Sequence, residues 1–169
     1  MMTIIDHLKK DHRKIEMLYK QMDDLRPEDH ATRHKLFLNL HSLIEAQARS
    51  EEENFYDRFI TRKDMRRQLL EYHEVHQIIG ALLKEMSLLS PRDEKWHAKF
   101  NVLKDILHRH IQEEEEVLFP KVAAHVEKDI LDSLSDFYIE RRNSELNKLI
   151  LTLANSVLRD SQSSNMASY

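Results

Sequence analysis

The chain of 169 residues has no cysteine, only one glycine and only three prolines. Without cysteine, it cannot form a disulfide framework, a thiolate nucleophile or a thiolate metal site. The scarcity of glycine and proline removes most turn chemistry, so a fold of many short strands is disfavoured. No apolar run approaches the length of a membrane span, and the N-terminal segment lacks a signal-peptide core. We therefore expect a cytoplasmic protein without a membrane partner.

Charge and hydrophobicity are balanced in a way that favours helices. Charged residues make up 33% of the chain and hydrophobic residues 41%, which is typical of amphipathic helices around one core. The formal net charge is −4 with histidine neutral, which argues against nucleic acid as the main partner. The basic segments 61–67 and 140–142 also contain acidic residues and are typical of ordinary helix surface. The composition predicts an all-α protein.

Apolar periodicity predicts five amphipathic helices joined by short connections. Short connections make successive helices antiparallel, so the first four are predicted to form an up-down four-helix bundle within residues 1–125. A fifth helix, within residues 126–158, would pack on the bundle or against a second copy in a homodimer. Residues 159–169 are polar and are predicted to form a flexible tail. The predicted helices cover residues 3–24, 28–60, 61–88, 91–120 and 127–157.

Local signals indicate where these helices begin and end. Thr3 and Thr61 each precede an aspartate by three residues, which is the spacing of a capping pair. Asp93, just after a Ser-Pro pair, is the clearest start signal in the chain. Pro120 is expected to kink or end the fourth helix, because its ring collides with the carbonyl four residues back.

In each of the first four predicted helices, the buried apolar stripe contains a residue that can bind a metal or form a hydrogen bond. A buried carboxylate either takes up a proton or finds a cation, because burying an unpaired charge is costly. Two carboxylates facing several imidazoles therefore predict a dinuclear metal site more naturally than a core. The polar residues that interrupt the four stripes are His12, Gln47, Glu51, His73, His76, His110 and Glu114.

His110 and Glu114 lie one turn apart on one helix face, so both can reach the same metal pair. The two oxygens of a glutamate can also bridge two metals. Imidazole with carboxylate, in the absence of sulfur, suits iron, manganese or zinc. The His-x3-Glu spacing alone is weak, and the coincidence with apolar stripes on four helices is the stronger indication. The spacing occurs at His12-Glu16, His41-Glu45 and His110-Glu114.

The segment HIQEEEEVLFP at residues 110–120 resembles the hemerythrin-like (HHE cation-binding) domains, which combine H-x3-E-E with a following aromatic residue and often a proline. Residues 8–15, 45–59 and 74–86 resemble the first three helices of that family. The resemblance implies a hemerythrin-like bundle with a non-heme di-iron centre that handles dioxygen, nitric oxide or peroxide, or senses iron. The ligands that it implies are His12, Glu51, His76, His110 and Glu114.

The chain departs from the family at Gln47, where the resemblance implies a histidine on the second helix. Glutamine is a poor ligand for iron, and three interpretations are open. One metal has an open position, or His73 supplies the missing nitrogen from one turn before His76, or the site has decayed.

We therefore predict two non-heme iron ions per chain, with zinc or manganese as possible substitutes, and a small diatomic or peroxide ligand. Two hypotheses from other classes stay open: a metal-free helical interaction module, and an iron storage or donor protein without turnover. A ferritin-like bundle is disfavoured, because it needs two Glu-x-x-His pairs and the chain has only the pair of Glu94 and His97. The sequence contains no nucleophile turn and no glycine-rich phosphate loop, so nucleophilic catalysis is unsupported and no catalytic residue is predicted.

Overall fold

The structure is a computed structural model that describes the backbone of residues 2–166 and the side chains of residues 2–152. These residues form five helices and no strand: α1 (Ile4–Asp23), α2 (His30–Glu51), α3 (Arg66–Ser87), α4 (Glu94–Glu113) and α5 (Lys128–Met166). A π turn, Glu52–Tyr56, and a short helix, Asp57–Phe59, continue α2, whereas the π turn Glu114–Leu118 and the helix Phe119–His125 continue α4. The predicted all-α four-helix bundle with an additional C-terminal helix is confirmed.

Helix starts follow the capping signals in α1 and α4 but not in α3. Thr3 and Asp6 form a capping box, and Asp93 accepts a hydrogen bond of 2.8 Å from the backbone N–H of Lys95. The capping prediction for Thr61 is wrong, because α3 begins at Arg66 without a side-chain cap. A turn precedes α3 instead, and it places Met65 in the core with no exposed surface.

Pro120 does not end the fourth helix, because the chain stays helical to His125. The π turn Glu114–Leu118 comes directly before the proline region. A π turn changes the hydrogen-bond pattern of the preceding turn, where the proline ring would otherwise clash with a carbonyl. The helix can therefore continue past Pro120.

Two hydrophobic clusters fill the bundle, and the polar stripe residues lie between them along every helix of the bundle. On α1, Leu8 belongs to one cluster and Ile15 to the other, with His12 between them. On α3, Tyr72 and Ile79 flank His76 in the same way. The polar residues are thereby collected into one layer in the middle of the bundle, covered by apolar side chains on both sides.

The additional helix α5 packs on its own bundle along α1 and α2. Leu131 and Leu134 are buried in the hydrophobic cluster that also contains Leu8, and Ser135 Oγ donates a hydrogen bond of 3.0 Å to the carbonyl of Met2. The backbone stays helical through residues 159–166 of the predicted tail, and residues 167–169 lie outside the described residues. The homodimer stays a prediction. Within residues 2–166, no helix combines the length and the apolar character that crossing a membrane requires.

Candidate metal centre

The five ligands that the resemblance implies meet in the polar layer between the two hydrophobic clusters. His12 comes from α1, Glu51 from α2, His76 from α3, and His110 and Glu114 from the end of α4. All five are buried, and the two glutamates have no exposed surface at all. Four helices therefore contribute to one enclosed group of imidazoles and carboxylates.

The ligand atoms form two overlapping groups. His12 Nε2 lies 3.2 Å from Glu114 Oε2, and ligand atoms of His12, Glu51 and Glu114 all lie within 4.8 Å of one another. In the second group, His76 Nε2 lies 2.9 Å from His110 Nε2. His76 Nε2 lies 3.9 Å from Glu51 Oε2, and His110 Nε2 lies 3.6 Å from Glu114 Oε2. Both carboxylates therefore lie beside imidazoles of both groups.

Several buried polar atoms at this centre have no hydrogen-bond partner among the described residues. They are Glu51 Oε1, Glu114 Oε2 and His110 Nδ1. Buried polar atoms in folded proteins are almost always satisfied, so each exception requires an explanation. Free carboxylate oxygens next to imidazole nitrogens are the donor set of a cation such as iron, manganese or zinc. The residues present therefore fit a metal ion.

The pKa values at the centre are displaced in both directions. Burial raises the pKa of Glu51 well above its usual value, and repulsion from Glu114 raises it further. Burial also opposes ionisation of Glu114, but His110 and His12 outweigh burial and lower the pKa of Glu114 to about 2. Opposed shifts on neighbouring carboxyl groups are typical of functional sites.

The histidines of the centre also have displaced pKa values. Burial opposes protonation of His12, but the neighbouring carboxylates of Glu114 and Glu115 outweigh burial and raise the pKa of His12 to about 9. Burial lowers the pKa of His110 to about 4, so this imidazole is neutral near pH 7 and has a lone pair for a metal. A cation at the centre would compete with the proton on His12, because a ligating imidazole must be deprotonated.

Two further glutamates orient the histidines from outside. Glu115 Oε1 lies 2.9 Å from His12 Nδ1, and Glu52 Oε1 lies 2.8 Å from His76 Nδ1. A hydrogen bond at Nδ1 leaves Nε2 free for a metal, which is the usual arrangement of metal-ligating histidines. This role was not predicted from the sequence, although the adjacent glutamates at 51–52 and at 114–115 are a signal that could have indicated it.

The two π turns lie at the carboxylate ligands. Glu51 immediately precedes the first π turn, and Glu114 is the first residue of the second. Single π turns inside α-helices occur frequently at functional sites, because the wider turn re-aims the side chains that it contains. In both helices the widened turn carries the glutamate that hydrogen-bonds a histidine of another helix. No sequence pattern considered above predicted these turns.

Aromatic rings hold the three imidazoles in place. Phe119 stacks on His12 with ring centroids 5.8 Å apart, and Tyr56 stacks on His76 at 5.3 Å. Tyr72 meets the ring of His110 edge-on at 5.1 Å. The hydroxyl of Tyr56 also donates a hydrogen bond to Glu114 Oε1, so this side chain combines packing with a polar contact. These rings fix the imidazole planes and exclude water.

Gln47 lies inside the centre, whereas the structure does not bring His73 into it. Gln47 Nε2 donates a hydrogen bond of 2.8 Å to Glu51 Oε2 and lies 3.4 Å from His12 Nε2. His73 Nδ1 lies 3.5 Å from Glu52 Oε1, and its Nε2 lies 3.6 Å from Asp57 Oδ1. The ring of His73 therefore faces the partly exposed rim of the layer, on the outer side of Glu52.

Comparisons with known proteins agree with this geometry. The sequence profile of the "Hemerythrin HHE cation binding domain" matches residues 3–122, which include all five ligand positions and exclude α5. The fold is similar to the crystal structure of a hemerythrin HHE cation-binding domain-containing protein from Mycobacterium kansasii, with a TM-score of 0.79. The two chains are 19% identical, and the alignment covers 91% of this chain and 93% of that one. No curated protein matches the sequence significantly.

Proposed function

The chain belongs to the hemerythrin HHE cation-binding domain family, and we propose that it holds two non-heme iron ions and handles a small diatomic molecule or a peroxide. The proposal rests on two fully buried glutamates with unpartnered oxygens beside three histidine Nε2 atoms. His12, Glu51, His76, His110 and Glu114 would be the ligands. Bound iron would supply redox chemistry and a coordination position for a small molecule.

The donor set supports iron, with zinc or manganese as substitutes. Three imidazoles and two carboxylates, without sulfur, suit these metals and do not suit copper(I) or calcium. Two ions would also explain why both carboxylates lie between separate histidine groups. A metal-free interaction module accounts for neither feature, because two buried carboxylates side by side would need some other compensation for their loss of water.

The two metal positions would be unequal. The group with His76 and His110 offers two imidazoles, whereas the group with His12 offers one imidazole and the amide of Gln47. An amide is a weak ligand, so the position beside Gln47 would be the more open one. The Gln47 side chain also carries N–H groups, and these can donate a hydrogen bond to a small molecule held there.

The size of a cavity beside the centre supports the proposal that the reactant is a small molecule. A cavity of about 190 Å³ lies between α2 and α3, and His76 and Glu52 line its inner end. The rest of its wall combines apolar residues such as Ile44 and Ile79 with the charged Glu45 and Arg49. A cavity of this size admits dioxygen, nitric oxide or hydrogen peroxide and excludes a large organic substrate. An enclosed centre with five committed ligands also fits reaction chemistry better than storage of many ions.

Iron titration of the metal-free protein tests the proposal. We expect two ions per chain, measured by elemental analysis after desalting, and a near-ultraviolet absorption band after oxidation. Glu114→Ala should lose most of this uptake while keeping its helicity by circular dichroism, because it removes the shared carboxylate. Glu113→Ala is the matched control, since Glu113 is the exposed preceding residue and should bind iron as the wild type does. An unchanged iron content in Glu114→Ala would contradict the proposal.

A further inference from the structure

α5 lies outside the segment that matches the family, yet its polar side chains contact the residue next to a proposed metal ligand. Asp11 directly precedes His12 and is fully buried. The hydroxyl of Tyr138 donates a hydrogen bond of 2.8 Å to Asp11 Oδ2, and Arg142 Nη1 lies 2.5 Å from the same oxygen. Lys14, on α1 itself, pairs with Asp11 Oδ1 at 2.9 Å. Asp11 thus has partners on both oxygens, and two of the three partners come from α5.

A second set of contacts joins α5 to the helix segment that carries Glu51. Arg141 Nη2 lies 2.7 Å from Glu53 Oε1, two residues after Glu51. Glu145 accepts a hydrogen bond of 3.2 Å from Arg49, two residues before Glu51. α5 is therefore tied to the chain on both sides of Glu51 as well as to the residue before His12.

We propose that Tyr138 and Arg142 are positioning residues for the metal centre, which act on His12 through Asp11. This inference rests on the proposed function. A helix moves as a rigid element over neighbouring residues, so a shift of Asp11 turns or displaces His12 relative to Glu114 and Glu51. Asp11 is a buried charge, and removing its two α5 partners leaves only Lys14 to compensate it, which favours such a shift. Partners that orient metal ligands from outside typically change metal affinity by about 10- to 100-fold.

A purely structural role of α5 would have different consequences. The helix also buries Leu131 and Leu134 in the core, where they stabilise the fold by packing in the hydrophobic cluster that contains Leu8. Leu134→Ala is therefore the matched control. It should lower the melting temperature, because it leaves a cavity in the core, and leave the metal affinity of the folded protein unchanged. Tyr138→Phe keeps the ring and removes only the hydroxyl, so it should fold.

The test uses Co(II) as the probe in the full-length protein. Affinity is measured by competition with a chelator, and the visible d–d spectrum reports the ligand geometry. The variant Tyr138→Phe with Arg142→Gln should bind Co(II) about 10- to 100-fold more weakly, with changed d–d bands. Tyr138→Phe alone should show a smaller loss of Co(II) affinity. Combining Tyr138→Phe with Arg142→Lys, in place of Arg142→Gln, should recover part of the affinity that the double variant loses.

Three other results would overturn the inference. If the double variant binds Co(II) within twofold of the wild-type affinity and has the same spectrum, then Asp11 does not act on His12. If Leu134→Ala loses as much Co(II) affinity as the double variant, then α5 affects the centre only by stabilising the fold. A wild type that binds neither Co(II) nor iron would overturn the proposed function and this inference together, which distinguishes that failure from the other two.

Discussion

Glu51 and Glu114 direct their carboxylates into the centre, and the residue that follows each one accepts a hydrogen bond from a histidine of another helix. The doublets thus divide two tasks between neighbours: one glutamate would hold a cation in the proposed metal centre, and the other orients an imidazole. The same division occurs on α2 and on α4. Adjacent glutamates therefore have different roles, which depend on what each side chain contacts.

Gln47 provides the sharpest test at the residue scale. Gln47→His should raise the affinity for the second iron ion by about tenfold or more, because imidazole replaces a weak amide ligand beside His12. Iron titration of the metal-free variant measures this change. The same substitution should slow any reaction with peroxide, because the new imidazole fills the more open position.

His73→Ala is the companion variant in that titration. Its ring contacts Glu52 and Asp57 rather than the ligand group, so the variant should still bind two ions per chain. Loss of one ion would show that His73 supplies the missing nitrogen after all. Less than one ion per chain in the wild type at saturating iron would show that the site has decayed.

At the scale of helices, α3 contains the single glycine of the chain. The backbone conformation at this position does not require a glycine. Gly80 does not have a positive φ, and an added Cβ would meet nothing within 4 Å among the described residues. Glycine inside a helix costs about 1 kcal/mol relative to alanine. Gly80 lines the same cavity as His76, so a large side chain at this position would fill part of that cavity.

Gly80 variants should separate stability from access. Gly80→Ala should raise the free energy of unfolding by about 1 kcal/mol, because alanine is the better helix former and finds free space. Gly80→Leu should slow the reaction of the iron-loaded protein with hydrogen peroxide in stopped-flow measurements, without changing the iron content. Ile78→Leu serves as the control, since Ile78 is exposed on the same helix. Equal rates for Gly80→Leu and wild type would exclude this cavity as the route.

The whole molecule is a bundle with a charged layer between two hydrophobic clusters. Such a layer interrupts a core that would otherwise be continuous, and close carboxylates repel one another unless a proton or a cation intervenes. Burial raises the pKa of Glu51, and repulsion from Glu114 raises it further. We therefore expect the stability of the fold to depend on the occupancy of the proposed metal centre.

Metal removal should lower the melting temperature of the protein. A ligand that binds only the folded state stabilises it by about 2.7 kcal/mol at a free concentration of 100 times the dissociation constant. Differential scanning calorimetry of the iron-loaded and chelator-treated protein measures the difference. Glu114→Ala is the control, because a variant without the shared carboxylate should show almost no shift. An equal shift of the melting temperature in wild type and variant would mean that the chelator does not act by removing metal from this centre.

Much of the architecture could be predicted from the sequence, because the responsible forces act along the chain. Apolar residues at helical spacing indicated the five helices, and Thr3 and Asp93 indicated two of their starts. The cost of burying a carboxylate without a partner made Glu51 and Glu114 stand out on otherwise apolar stripes. The same periodicity predicted that His12, His76 and His110 face the bundle interior, where the structure has them.

The remaining features depend on contacts between helices that are distant in sequence, and only the tertiary structure decided them. His73 and His76 lie one turn apart on α3, yet only the ring of His76 points into the centre, because Glu52 of the neighbouring segment lies between them. The approach of α5 to Asp11 joins residues more than a hundred positions apart. The sequence by itself determined which residue types face inward, because a helix repeats every 3.6 residues. The meeting of those side chains was decided by packing, because small shifts between helices change which polar atoms come within hydrogen-bond distance.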